Sequence, residues 1–205
     1  MIVQSNILIG KEAEVRILDD YKRVKSMYRY EDVEIRKFKF EDIPYKVEWI
    51  NNDANNQYLE YDLPLTVGKT QNWYNGIKNR KDRWDATILY KEKPVGLTGL
   101  LNIDYKNKTA EDYILIGDTS LKGLGIATKA GVLNFAHAFY DLNLNKLWGT
   151  IEVGNEPSIR RMFRLGGSVE GYLHQSVYKN NEFIDVLYVA YFKERFSLPA
   201  ELYEV

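Results

Sequence analysis

The stretch Leu121-Lys122-Gly123-Leu124-Gly125-Ile126-Ala127 decides how this chain is interpreted, because it is a glycine-rich turn between a predicted strand and a predicted helix. In such a turn several backbone N–H groups lack partners and point one way, and the helix dipole adds partial positive charge. The amides from Lys122 to Thr128 are therefore candidates for an anion site suited to phosphate, with a plain tight turn as the alternative. The spacing matches neither a P-loop nor a dinucleotide fingerprint.

The pattern on both sides of this turn alternates between strands and helices. Residues 19–30 read as a polar helical or irregular piece, and Val33 to Phe38 alternate apolar and polar as in a half-buried strand. Further along, Tyr113 to Ile116 is the predicted strand before the turn, and Asn155 opens a short helix that stops at Gly166. The order from Val33 is β α α β β β α β α β β, which predicts an α+β (mixed α/β) domain with three layers around one sheet.

Composition narrows the possible chemistry. The 205 residues contain no Cys and two His, which excludes a disulfide framework, a cysteine nucleophile and a histidine-rich metal site, so we expect no metal. A net charge of −1 gives no global electrostatic footprint for nucleic acid, with a local basic patch as the alternative, and we expect no nucleic-acid partner. No run of about 20 apolar residues is present, and no secretory signal is visible, so we expect a cytoplasmic protein without membrane segments.

The glycine-rich turn resembles the acyl-CoA-binding loop of the GNAT superfamily of N-acetyltransferases. That loop has Gln or Arg first, Gly fourth and Gly or Ala sixth; here Lys122, Gly125 and Ala127 hold these places, and Lys is a departure that keeps a charge. Asn155, followed by Ser158 and a short helix ending at Gly166, resembles a second element of the family. With the order of elements, the resemblance covers about four-fifths of the chain. It implies a sheet that is mostly antiparallel and splayed at the cofactor site.

The resemblance also implies which residues hold acetyl-CoA, the expected co-substrate. The backbone of Leu115, Ile116 and Gly117 would hold the pantetheine arm. The pyrophosphate would lie on the loop amides of Lys122, Gly123, Leu124, Gly125, Ile126, Ala127 and Thr128. Asn155 would bind near the reactive end. Candidates for the 3′-phosphate are Lys129, Arg160, Arg161 and Arg164, each of which could instead be a solvated helix residue.

A narrower resemblance, in Glu170 to Gln175 and in Glu48 to Asp53, is to the RimJ/RimL-type ribosomal-protein acetyltransferases and to amino-sugar N-acetyltransferases. Many family members have a Tyr as proton donor seven residues after the Asn that corresponds to Asn155, but in this chain that position is Met162. Ser158 is the candidate donor by resemblance to the RimL type, although a Ser there also caps helices. The expected Glu base falls at Val177, which leaves Glu152 and His174 as substitute candidates.

The kind of amine that accepts the acetyl group follows from the lack of a carboxylate base at Val177. An α-amine or a sugar amine is partly neutral at pH 7, whereas a Lys amine with a pKa near 10.4 is not. We therefore expect transfer of acetyl to a weakly basic primary amine of a small molecule such as an amino-sugar nucleotide. Aromatic residues that could stack on it are Trp49, Tyr58, Tyr61, Trp73 and Trp84. The alternatives are a protein N-terminus and a module that binds acyl-CoA without turnover.

The predicted organisation is an N-terminal extension at 1–32, an acetyltransferase domain at 33–195 and a C-terminal tail at 196–205. The extension reads as a hairpin or arm, and an exposed hairpin edge favours pairing with another chain, so a homodimer is expected.

Overall fold

A computed structural model describes residues 28–199 as one eight-stranded sheet with helices on both faces. This confirms the predicted α+β class with three layers. The elements, in chain order, are β1 (Tyr28–Tyr30), β2 (Val33–Lys37), α1 (Ile43–Asn51), α2 (Asp53–Asn56), α3 (Val67–Ile77), β3 (Trp84–Tyr90), β4 (Lys93–Asp104), β5 (Thr109–Ile116), α4 (Ile126–Ala136), β6 (Lys146–Glu152), α5 (Glu156–Arg164), β7 (Ser168–Lys179) and β8 (Glu182–Phe192).

The strand order in the sheet is β1-β2-β3-β4-β5-β6-β8-β7. Every neighbouring pair is antiparallel except β5 and β6, which run parallel. The parallel pair includes only Thr109–Glu111 on β5 and Lys146–Trp148 on β6. Beyond these residues the two strands separate, so the sheet is splayed where the glycine-rich turn follows β5.

The helices form one layer on each face of the sheet. On one face, Trp49 and Ile43 of α1 pack with Leu97, and Tyr113 and Leu115 of β5 join this cluster. On the other face, Ile126 and Ala130 of α4 pack with Ile35 and Ile88, while Met162 of α5 packs with Phe135. Because successive side chains of β5 point to opposite faces, this strand serves both layers.

Local sequence sets where the helices begin and end. The Thr66 hydroxyl accepts a bond from the Lys69 amide at 3.2 Å and caps α3. The Asn155 side chain accepts from the Ser158 amide at 3.3 Å and caps α5, which ends before Gly166, where φ is 72°. Helix α4 is almost wholly buried and starts after Gly125 in the left-handed region.

The prediction of a helical or irregular piece was wrong at Tyr28–Tyr30, which form β1 and pair with Val33–Ile35. The predicted domain boundaries at 32/33 and 195/196 stay a proposal. Residues outside both boundaries belong to the same fold: β1 extends the sheet, and Phe196 contacts the rings of Phe135 and Phe139. The predicted hairpin or arm otherwise lies outside the described residues. None of the helices in residues 28–199 is long and apolar enough to cross a bilayer.

Candidate active site

The separation of β5 and β6 opens a cavity of about 770 Å³. Its walls include Asp112 to Ile116 of β5 and Gly149 to Ile151 of β6. From Asp112 onward β5 keeps β4 as a partner on one edge and, among residues 28–199, has no strand on the other. A free strand edge offers backbone donors and acceptors, which suits an extended amide-bearing ligand such as the pantetheine arm.

At one end of the cavity lies the glycine-rich turn. Gly123 and Gly125 have φ values of 88° and 79°, a conformation that glycine adopts without strain. The N–H groups of Gly123, Gly125, Ile126 and Ala127 donate to no other group within residues 28–199. Four unpaired amides at the start of an 11-residue helix fit a diphosphate, as the resemblance implied.

Most of the residues expected to hold acetyl-CoA do line this cavity. They are Leu115, Ile116, Lys122, Gly123, Gly125, Ile126, Ala127, Thr128, Asn155 and Arg161. Three of the expected residues are not in the wall, namely Gly117, Leu124 and the 3′-phosphate candidate Lys129. Leu124 is exposed, and Gly117 packs against the Trp49 ring so closely that a Cβ there would lie 2.1 Å from it.

The four candidate cations differ in their partners. Arg161 is held in a buried pair by Asp112 and donates to the Ala127 carbonyl at 3.2 Å, which ties α5 to β5 and α4. Lys129 pairs with Glu31 and Asp32. Arg160 lines the cavity and pairs with Glu156. Arg164 also lines the cavity, and no carboxylate of residues 28–199 lies within ion-pair distance of it.

The three candidate catalytic residues lie in different surroundings. Ser158 is half-buried in the cavity wall. Glu152 lies at the end of β6, where its carboxylate accepts from Lys179 Nζ at 2.7 Å, and it is not part of the wall. His174 is on β7 with 81% of its side chain exposed, 3.5 Å from Asp185. The structure therefore brings Ser158 to the cofactor residues but not Glu152 or His174.

Of the five aromatic residues expected to stack on an acceptor, one lines the cavity. Tyr58 is in the wall, and its hydroxyl donates to the Gly154 carbonyl at 3.0 Å. Trp49 is 6% exposed and stacks on Tyr45. Trp73 and Tyr61 both contact the Lys46 ammonium, and Trp84 packs on His137. Packing within the protein therefore explains Trp49, Trp73 and Trp84, whereas Tyr61 is 43% exposed and lies outside the cavity wall.

Glu111 is a site residue that the sequence analysis missed. It is the last residue of β5 that pairs with β6, so it lies where the strands begin to separate, and it lines the cavity. Burial raises the pKa of its carboxyl, the charges of Glu60 and Asp112 add to the rise, and a hydrogen bond from Asn102 Nδ2 at 2.8 Å partly offsets it. A carboxyl with a raised pKa in a cavity is suited to general-base chemistry.

The sequence signal for Glu111 was the alternation of β5, on which Glu111, Tyr113 and Leu115 share one face. The predicted strand began only at Tyr113, so Glu111 was not assigned to the sheet. Met162, at the position of the expected Tyr, is fully buried in the core between α4 and α5. Within residues 28–199, no group of three or more acidic, His or Cys side chains is arranged to hold a metal ion.

Comparison with known proteins decides the family. Residues 32–168 match the family model described as the acetyltransferase (GNAT) domain. The chain belongs to the GNAT acetyltransferase family. This GNAT chain is an acetyl-CoA-dependent N-acetyltransferase, and the cavity between β5 and β6 is its candidate active site.

Individual relatives are similar over most of this GNAT chain. The spermidine N(1)-acetyltransferase of Escherichia coli K12 is 28% identical over 165 residues, which are 80% of this chain and 88% of that protein. YdaF of Bacillus subtilis, which carries a provisional ribosomal N-acetyltransferase assignment, is 31% identical over 55% of this chain and 61% of its own length. The structure of the Vibrio cholerae spermidine N-acetyltransferase with CoA and spermine superimposes with a TM-score of 0.77 at 20% identity, covering 81% of this chain and 98% of that one.

Proposed function

We propose that this enzyme transfers acetyl from acetyl-CoA to a primary amine of a small aliphatic polyamine. The observation that carries the proposal is the position of Glu111 in the cavity wall, at the last residue of β5 that pairs with β6. Burial is the main cause of the raised pKa of Glu111, and the charge of the exposed Glu60 adds to it. Two nearby carboxylates attract an acceptor with more than one positive charge and repel an anionic one. The activities named for the Escherichia coli and Vibrio cholerae relatives are of the same class.

The amino-sugar nucleotide expected from the sequence has less support. That expectation rested on the lack of a carboxylate base, and Glu111 supplies a carboxyl in the cavity. It also rested on stacking residues, of which Trp49, Trp73 and Trp84 pack within the protein. A nucleotide would in addition bring negative charge toward Glu60 and Glu111.

The proposed reaction is direct attack of the neutral amine on the thioester carbonyl carbon. Glu111 accepts the proton that the amine must lose, and Ser158 donates a proton to the departing thiolate sulfur. The free edge of β5 at Leu115 and Ile116 holds the arm of the thioester, so the two reactants meet beside Glu111. The other candidate bases, Glu152 and His174, are not needed in this scheme.

The test is a comparison of kcat/KM for spermidine, a nucleotide-linked 4-amino sugar and a peptide with a free N-terminus. We expect spermidine to exceed the other two by at least about 10-fold, with thiol release as the readout. Glu60→Gln should raise KM for spermidine about 3- to 5-fold with little change in kcat, since a surface charge contributes roughly 1 kcal/mol. Glu92→Gln, in the turn between β3 and β4, is the control.

Preference for the peptide or the amino sugar would overturn the polyamine assignment while leaving the acetyltransferase activity in place.

The predicted homodimer is also retained as a proposal, and the sedimentation mass of the full chain tests it.

A further inference from the structure

Tyr191 of β8 has its ring in the core and its hydroxyl in the cavity. The residue is 4% exposed, and its ring packs on that of Phe135, with 4.6 Å between the ring centroids. Its hydroxyl makes no hydrogen bond within the described part of the chain. In the same part, the polar side-chain atoms that are both inaccessible and unpartnered belong to Asn55, Asn134 and His137. The Tyr191 hydroxyl is not among them, so its oxygen is accessible, and Tyr191 lines the cavity.

Two charged side chains of the cavity wall act on this hydroxyl. Burial raises the pKa of Tyr191 to about 12, the Arg161 guanidinium opposes the rise, and the Asp112 carboxylate adds to it. Arg161 and Asp112 both line the cavity and are paired with each other. The Tyr191 hydroxyl therefore keeps its proton at neutral pH and is free to donate a hydrogen bond to a ligand.

The strand register places Tyr191 at the inner end of the cavity. Leu147 of β6 pairs with Tyr191 on one side and with Ala110 of β5 on the other. Ala110 precedes Glu111, the last residue of β5 that pairs with β6, whereas the glycine-rich turn follows the opposite end of β5. A ligand whose diphosphate lies on that turn therefore reaches Tyr191 with the part that is farthest from the diphosphate. In acetyl-CoA that part is the acetyl group.

Tyr191 and Glu111 approach the inner end of the cavity from opposite faces of the sheet. Tyr191 packs with Phe135 of α4, whereas Glu111 shares the face of Tyr113 and Leu115, which pack with α1. Strands β5 and β8 are two positions apart in the sheet, which is about 10 Å at the usual strand spacing. An acetyl group between them can be approached by an amine from the Glu111 side while the Tyr191 hydroxyl meets its carbonyl oxygen from the other side.

We propose that the Tyr191 hydroxyl donates a hydrogen bond to the carbonyl oxygen of the acetyl thioester and stabilises the oxyanion that forms there. When the amine nitrogen bonds to the carbonyl carbon, the π electron pair of the C=O bond moves onto this oxygen, and it returns when the C–S bond breaks. Tyr191 keeps its proton throughout, since the amine proton goes to the base and the thiolate receives a proton from its own donor. The inference rests on the direct attack proposed above, but not on which amine is the acceptor or which residue is the base.

The test is the conservative variant Tyr191→Phe, which keeps the ring and removes only the hydroxyl. The readouts are calorimetry with CoA and with acetyl-CoA in the absence of an amine, and kcat with whichever amine the wild type acetylates fastest. We expect an unchanged affinity for CoA, which has no carbonyl at this position, and about 5-fold weaker binding of acetyl-CoA. The value of kcat should fall at least about 10-fold, because a donor to an oxyanion contributes more in the transition state than in the ground state.

Tyr188→Phe is the matched control, since Tyr188 is on the same strand, stacks on Trp148 and lies outside the cavity wall. It should change neither the two affinities nor kcat. In Tyr191→Phe, a smaller loss of kcat than expected would overturn the proposal. Equal weakening of CoA and acetyl-CoA would also overturn it, because the hydroxyl would then act on the arm or only on packing. The expected fall in kcat with both affinities unchanged would support it as a contact made in the transition state.

If Tyr191→Phe does not fold, a crystal structure of the wild type with a non-hydrolysable acetyl-CoA analogue decides. The carbonyl oxygen of the analogue should lie within about 3.2 Å of the Tyr191 hydroxyl oxygen. A water bound to that hydroxyl in place of the carbonyl would contradict the assignment.

Discussion

The Tyr58 hydroxyl donates a hydrogen bond to the Gly154 carbonyl at 3.0 Å and thereby joins two parts of the chain across the cavity. Tyr58 follows helix α2, and Gly154 lies between β6 and α5. On the other side of the cavity, Lys122 Nζ donates to the Ala54 carbonyl at 2.9 Å. Residues 54–58, the bridging segment, are therefore fastened both to the glycine-rich turn and to the loop after β6.

Because the bridging segment spans the cavity, Tyr58→Phe should release one of its two attachments. A hydrogen bond of this kind contributes about 1 kcal/mol, which corresponds to about a 5-fold change. We expect CoA to dissociate about 3- to 5-fold faster from the variant, with a smaller effect on association. Stopped-flow displacement of a fluorescent CoA analogue measures both rates.

A matched variant separates this effect from the loss of any tyrosine hydroxyl. Tyr105 makes a similar bond, from its hydroxyl to the Lys81 carbonyl at 2.9 Å, in an exposed position outside the cavity wall. Tyr105→Phe should leave the dissociation rate unchanged. The same acceleration in both variants would refute the assigned role of the bridging segment.

Glu111 should control the acid side of the pH profile. Its pKa is raised mainly by burial, so the carboxylate needed to accept a proton forms only above the ordinary range near 4.3. We expect kcat/KM to rise with pH through this raised pKa. Glu111→Gln should lower kcat at least about 100-fold and remove that rise. Glu170→Gln, which removes a carboxylate paired with Lys146 outside the cavity, should leave the profile intact.

The same raised pKa predicts that the charged Glu111 carboxylate lowers the stability of the folded state, whereas a carboxylate in an ordinary ion pair raises it. Between the unfolded and the folded pKa of Glu111, the folded state binds more protons, so the free energy of unfolding falls as pH rises through that window. Above that pH window, the charged carboxylate makes the free energy of unfolding smaller. Glu111→Gln should therefore have a higher Tm than wild type at pH 7 and the same Tm at low pH, in calorimetric scans. A lower Tm at pH 7 would contradict this environment for Glu111.

Gly125 should be required for the shape of the anion site. Its φ of 79° is unfavourable for any residue with a Cβ by about 1 kcal/mol or more. Gly125→Ala should weaken binding of CoA at least about 5-fold by calorimetry. Gly68 lies in α3 with no atom near the place of a Cβ and without a positive φ. Gly68→Ala should leave CoA affinity unchanged and stabilise the protein by about 0.5–1 kcal/mol, since glycine is unfavourable in helices.

The cations of α5 should divide into a structural and a ligand-binding residue. Arg161 and Asp112 form a pair with side chains 11% and 4% exposed, so Arg161→Met should destabilise the protein by about 3 kcal/mol. Arg164 is exposed in the cavity wall and is our candidate for the 3′-phosphate. Arg164→Gln should weaken CoA about 3-fold and leave dephospho-CoA unchanged, since an exposed ion pair contributes under about 1 kcal/mol. Equal weakening of both ligands would exclude a contact with that phosphate.

What could be predicted from the sequence was local. The left-handed glycines 123 and 125, the cap at Asn155 and the end of α5 at Gly166 follow from preferences of single residues and their immediate neighbours. So does the alternation of strands and helices, since burial on one face imposes a period on the sequence. Most of the residues assigned from these features to acetyl-CoA do line the cavity, and the resemblance they carry is to the family that the chain belongs to.

What only the tertiary structure decided was which polar side chains face the cavity and which are already paired. Glu152 and Arg161 were reasonable candidates by type, but Lys179 and Asp112 hold them, and these partners are 27 and 49 residues away. Glu111 became visible because β5 leaves β6 at that residue. Pairing and burial over such separations depend on how the whole sheet is assembled, and no local pattern in the sequence encodes them.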